Sequence, residues 1–202
     1  MTIAKGTDWG YPAELPLESP VHNDDASLFR SINELRSSQT AIGVVGLTGG
    51  TLWEMLGGPT CVGRLLTTDA RAYACDLGRV ETDEGTFWFG CSLVARTLTW
   101  SSVVLAMNAQ NIGPYRFGHR AHPNDGLLDV YEADLPLQQR LAVAKRAKLG
   151  AHLPHPGIRE RRVGSVSISM PHRRKFWLDG VASGRSRNFT LTVEPDALTV
   201  VV

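Results

Sequence analysis

No apolar run in this sequence approaches the roughly 20 residues that a helix needs to cross a bilayer. Met1–Gly10 also lacks the apolar core of a signal peptide. Cysteine is scarce. Cys61, Cys75 and Cys91 form an odd, dispersed set, which argues against a disulfide framework and for reduced thiols in a cytoplasm. No repeat or low-complexity segment is present. No Gly-x-Ser-x-Gly elbow accompanies Ser92, His119 and Asp125, the one set that could be drawn as a hydrolase triad. Aromatics make up 7% of the chain. None interleaves with the arginines as in a nucleic-acid platform, so nucleic acid is not an expected partner.

What remains is ordinary globular material, 202 residues with 43% hydrophobic and 20% charged side chains, enough to bury a core. The net charge of +1 hides an asymmetry. Residues 1–101 carry 7 Lys/Arg against 12 Asp/Glu, and residues 102–202 carry 14 against 8. Arg159, Arg161, Arg162, Arg173, Arg174, Lys175, Arg185 and Arg187 crowd the basic half. They suit either an anionic ligand or membrane surface, or a solvated face paired with acids of the same fold.

Gly10, Pro12, Pro16 and Pro20 make residues 1–21 an extended lead-in. Asn23 or Asp24 caps a helix running to about Ser37, with Leu28, Ile32 and Leu35 on one face. Residues 41–46 read as a strand, Thr48-Gly49-Gly50 as a turn, and 51–56 as a short helix stopped by Gly57-Gly58-Pro59. Beyond it the texture is β. Arg71–Glu81 alternates with Tyr73, Cys75 and Leu77 on one side, and a turn at 82–85 leads to Thr86–Phe89. Further strands are expected at 92–98, 102–107 and 127–131, and a helix at 137–149. Closing strands begin at Val163, and a last hairpin of 189–193 and 198–202 turns at Glu194-Pro195-Asp196-Ala197.

Several motifs resemble one family. Pro114 to Val130, ending in Asp125-Gly126-Leu127-Leu128-Asp129-Val130, resembles the signature of the diacylglycerol kinase and sphingosine kinase superfamily in its bacterial lipid-kinase branch. Trp177-Leu178-Asp179-Gly180-Val181 resembles that family's Asp-Gly-Glu. Residues 105–113, 150–157 and 194–200 are similar to its other segments in the same order. Ile42 to Gly57 is similar to its Gly-Thr-x-Asn-Asp stretch, with Gly50 for the asparagine and Thr51 for the aspartate. The resemblance covers Ile42 to Val202. It implies an α+β chain with a mainly antiparallel, two-layer β-sandwich of lipid-kinase type. The division would be a lead-in at 1–21, an α/β remnant of a nucleotide-binding domain at 22–58, and a lipid-kinase-like β domain at 59–202.

The same resemblance implies the site. Val181 stands where the family has the glutamate that serves as base, leaving Asp179 as the candidate catalytic carboxylate. Thr48, Gly49, Gly50 and Thr51 are the candidate remnant of a phosphate loop for ATP, without its aspartate. Asp125 is the candidate ligand of a structural Mg²⁺; a plain Asx-turn is the alternative. Phosphoryl transfer needs metal-holding carboxylates and amide donors on the phosphates, and these replacements remove both. Two functions are therefore expected. One is a non-catalytic, lipid-kinase-like protein that binds a lipid, an anionic phosphate ligand or a protein partner, with homodimerisation through the truncated α/β edge. The other is an active ATP-dependent lipid kinase acting on a diacylglycerol-like hydroxyl. Either suits a cytoplasmic protein that meets the membrane peripherally. Phe87, Trp88, Phe89 and Trp100 read as core or as the wall of an acyl-chain pocket. His119/His122 and His152/His155 sit in proline-containing loops, and read as loop histidines bonded to backbone carbonyls rather than zinc ligands.

Overall fold

A computed structural model describes residues 9–58 and 62–202; Cys61 and the first eight residues of the lead-in lie outside the described residues. The elements are β1 (Tyr11–Pro12), β2 (Val21–His22), α1 (Asp25–Ser37), β3 (Val44–Leu47), α2 (Thr51–Met55) and a 3-10 turn (Val62–Leu66). Then come β4 (Arg71–Thr82), β5 (Gly85–Phe89), β6 (Ser92–Arg96), β7 (Ser102–Met107) and β8 (Leu128–Asp134). The chain closes with α3 (Leu137–Ala147), β9 (Ile158–Val163), β10 (Ser165–Leu178) and β11 (Val181–Val201). The architecture is a mostly antiparallel sheet with few helices. Among the described residues no helix is long and apolar enough to cross a membrane.

The sheet is continuously hydrogen-bonded in the order β1-β4-β11-β10-β6-β7-β8-β9. Its axis is β11. That strand pairs antiparallel with β10 from Val181 to Thr192 and with β4 from Phe189 to Val201. At its end it also pairs parallel with β3, Thr199 opposite Val44. The expected hairpin at Glu194–Ala197 is therefore not a hairpin. The chain bulges between Glu194 and Leu198 and continues along β4. Asp196 takes the left-handed conformation there, φ 52°, and its N–H donates to the Asp76 carboxylate at 3.0 Å. A buried acceptor on the neighbouring strand thus holds open a kink whose residues look like a turn.

Alternation along β4 separates two cores. Tyr73, Cys75 and Leu77 face α1 and α2, packing with Leu28, Ile32, Leu47, Leu52 and Val200. Val80, on the other face, joins Phe89, Leu93, Val104, Val130, Phe176 and Leu191. The second cluster draws on β4, β5, β6, β7, β8, β10 and β11, so the sheet curls around one shared apolar centre.

Helix α1 begins where expected. Asp24 extends before it and accepts the Ser27 N–H at 2.6 Å. Its buried residues are Leu28, Phe29 and Ile32. It also covers an edge. Among the described residues strand β5 pairs only with β4, and Asn33 of α1 supplies what a next strand would: its amide accepts Trp88 N–H and donates to Trp88 C=O, both at 2.9 Å. Asn33→Ala leaves both backbone groups unpaired, so urea unfolding is expected to show a loss of about 2 kcal/mol. An unchanged midpoint would mean water satisfies that edge equally well.

Candidate functional site

The turn between β10 and β11 has two central residues, and both need positive φ. Asp179 sits at 48° and Gly180 at 80°, the Asp-Gly type I′ arrangement that suits a two-residue hairpin. Leu178 pairs with Val181 across it. The Asp-Gly dipeptide thus has a backbone reason to be here. The Asp179 side chain points inward and is 8% exposed. Its carboxylate accepts three consecutive amides, Gly90 at 2.7 Å and Cys91 and Ser92 each at 2.8 Å. Burial pushes its pKa up to about 7 against those three donors, and the nearby Asp25 raises it further. Val181 is half-buried against the main core.

Thr48–Thr51 comes to the same place. Asp25, in the first turn of α1, reaches across 26 residues to accept Thr51 N–H at 2.6 Å and Leu52 N–H at 3.1 Å. The Cys91 thiol bridges the two acids, donating to Asp25 at 3.4 Å while its own amide holds Asp179. Burial first, then Asp179 and Asp25, pushes that thiol well above its usual pKa, so it stays protonated and inert. The glycines of the loop are explained by close approach. A Cβ on Gly49 would meet the Asn23 carbonyl oxygen at 2.4 Å. On Gly50, at φ 97°, it would meet the Asp25 carboxylate at 2.6 Å. Thr48 is tied to the His22 carbonyl through both its amide and its hydroxyl. As arranged, the loop does not fit a nucleotide phosphate: the amides that would receive an anion already hold the chain's own carboxylate.

Asp125 forms the Asx-turn, accepting Leu127 N–H at 3.0 Å, and its other oxygen is paired with Arg162. The same arginine lies 3.5 Å from Asp129. Burial raises the pKa of both carboxyls, and Arg162 opposes that in each. A Mg²⁺ at Asp125 would face a guanidinium, so these residues do not fit the cation as they stand. Among the described residues no group of three or more His, Cys, Asp or Glu is gathered that could hold a metal. His119 and His152, one from each pair, interact electrostatically, but no third ligand joins them among the described residues. His122 and His155 accept backbone N–H from Asn124 and Gly157 through Nδ1, so they bond amides rather than the expected carbonyls. Ser92 belongs to the Asp179 turn, and no hydrogen bond joins it to His119 or Asp125 among the described residues.

Sequence reading missed three organising residues. Asp76, 2% exposed, accepts Gly126 N–H at 2.7 Å as well as Asp196 N–H. Asn124 donates to the Ala74 carbonyl and to Asp196, both at 2.8 Å. Asn108 donates to the carbonyls of Asp76 and Gly90. Only the Asn124-Asp125-Gly126 turn carried a local signal.

Three of the eight basic residues that crowd that half pair with acids of the same fold: Arg161 with Glu132, Arg162 with Asp125 and Arg173 with Glu84. The aromatic run divides. Phe89 is in the core, Trp88 donates to Glu194 at 3.0 Å, and Trp100 is part of a cavity. That cavity, about 500 Å³, lies between α3 and the face of β7 and β8, lined by Val103, Leu105, Tyr131, Leu141, Val143 and Ala144 among others. Helix α3 buries only Ala147 fully, which leaves the space beneath it unfilled.

No family profile matches the sequence, and no curated protein matches it. Solved structures do. Three from Bacillus anthracis str. Sterne, one described as a diacylglycerol kinase and two as candidate diacylglycerol kinases, superpose with TM-scores of 0.65, 0.69 and 0.67 at 13%, 11% and 12% identity. The match covers 89% of this chain in each case and 74–76% of theirs. The chain has the diacylglycerol kinase-like fold.

The buried Asp179 sets a pH dependence. Its folded-state pKa lies near 7 and the unfolded value near 3.8, so the folded chain binds the extra proton between those values. Stability from this group is full below about pH 4 and is lost as pH rises through 7. Urea midpoints at pH 5 and pH 7.5 should therefore fall less with rising pH in Asp179→Asn than in the wild type. Parallel profiles would place the titrating group elsewhere.

Proposed function

We propose that this chain keeps the lipid-kinase scaffold for binding a lipid and does not itself transfer phosphate. The observation that carries this reading is the apolar cavity of about 500 Å³ under α3, within the size range of sites that enclose small ligands. Its walls are mostly Val, Leu, Ile, Ala and aromatic side chains, with Thr99, Arg140 and His152 among them, a lining that gains from excluding water and that an acyl chain satisfies. The kinase side argues the same way. Asp179 is committed to three amides, Val181 cannot accept a proton, and Asp25 occupies the Thr51 and Leu52 amides. No group placed to hold ATP or Mg²⁺ is left over among the residues first expected to do so.

The test has two arms. Native mass spectrometry of the purified chain is expected to show a co-purified or added lipid, lost when Ala144→Trp fills the cavity. No lipid adduct, with no change in melting temperature on adding lipid, would remove the reading. Incubation with labelled ATP, Mg²⁺, diacylglycerols and sphingoid bases is expected to give no phosphorylated lipid. Turnover abolished by Asp179→Asn or Asp125→Asn would instead establish an active kinase.

A further inference from the structure

The cavity under α3 holds a cation with no anion. Its floor follows the β7–β8 pairing, from Val103 opposite Ala133 to Leu105 opposite Tyr131, one step of about 7 Å along the strands. Arg140, in the first half of α3, lines the cavity beside Thr99 and Leu137. One of its terminal nitrogens donates to the Thr99 carbonyl. Its Nε is buried with no partner. Arg161, Arg162 and Arg173 each have a carboxylate; Arg140 has none among the described residues. This guanidinium stands at the rim of an apolar cavity with a shielded donor left unpaired. An incoming anion there gains a charge-assisted hydrogen bond.

The cavity's volume, about 500 Å³, lies within the range of sites that enclose a small ligand, and its mostly apolar lining suits an alkyl chain. Leu137 and Leu141 are 59% and 65% exposed beside Arg140, which sets the charged end at the solvent side and the chain inward.

We propose that the cavity takes an anionic amphiphile, its apolar chain under α3 and its head on the Arg140 guanidinium. This rests on the lipid-binding reading above and narrows it from lipids in general to those with a negative head. A fatty carboxylate and a lysophosphatidate share that chemistry.

Titration calorimetry of the full chain, below micelle concentrations, separates the possibilities. The ligands are palmitate, methyl palmitate and palmitoyl lysophosphatidate. Palmitate is expected to bind about tenfold more tightly than its uncharged ester. Arg140→Gln should erase that preference while leaving ester affinity within about twofold, and Arg140→Lys, which keeps the charge, should retain most of it. Whichever of palmitate and lysophosphatidate binds more tightly identifies the head. Equal affinity for palmitate and its ester in the wild type, or a preference that survives Arg140→Gln, would overturn the headgroup assignment while leaving a lipid pocket. No binding of any amphiphile, or binding undiminished by Ala144→Trp, would overturn the lipid-binding reading itself.

Discussion

Asp179 is held by the amides of three consecutive residues at a point where segments far apart in sequence converge. A carboxylate taken out of water persists there only while all three donors stay in place, so the interaction is a constraint on position as much as a source of stability. It pins the β10–β11 turn to the corner between β5 and β6. That fixes the pairing of β10 with β6, Leu178 opposite Leu93, and β6 in turn carries β7, β8 and β9. The floor of the cavity is thus aligned by a side chain at the far side of the sheet. Through the Cys91 thiol the same point is coupled to Asp25 and hence to the loop before α2.

The elements of this fold were mostly legible, because period-two and period-3.6 patterns report which face of a segment is buried. Tyr73, Cys75 and Leu77 share a face as their spacing requires, and the cap at Asp24 starts α1. The failure at Glu194–Ala197 is instructive. Pro and Asp punctuate a bulge and a hairpin in the same way, and what decides between them is the partner strand. Strand β4 is long enough to receive residues on both sides of the kink, and its Asp76 holds the kinked amide. Neither fact is local to the four residues concerned.

The site was legible only as a set of positions. Thr48–Thr51 and Asp179 are linked through Asp25 and Cys91, and Asp125 sits in an Asx-turn. What fills the space between them could not be read. An acid in the first turn of a helix is expected for its effect on the helix dipole, so nothing marked Asp25 as the residue that would cap a second helix. Arg162 was legible as basic, not as the neutralising partner of Asp125 and Asp129. Of the cavity only Trp100 left a trace, as a residue of core or of an acyl-chain pocket wall, because an amphipathic helix that packs tightly and one that stands off from its sheet can show the same apolar stripe.

Gly50 and Asp25 exclude alternatives to each other. A side chain at position 50 would have to accept φ 97° and would place its Cβ 2.8 Å from both the Asp25 carboxyl carbon and the Asp25 backbone nitrogen. An asparagine at position 50 therefore cannot be accommodated by one substitution while helix α1 keeps its present start. Asp25 would have to go first, and its loss alone strips the Thr51 and Leu52 amides of their acceptor. Both orders pass through a less stable intermediate. Gly50 and Asp25 act as a two-key lock, in which neither position can change alone without cost.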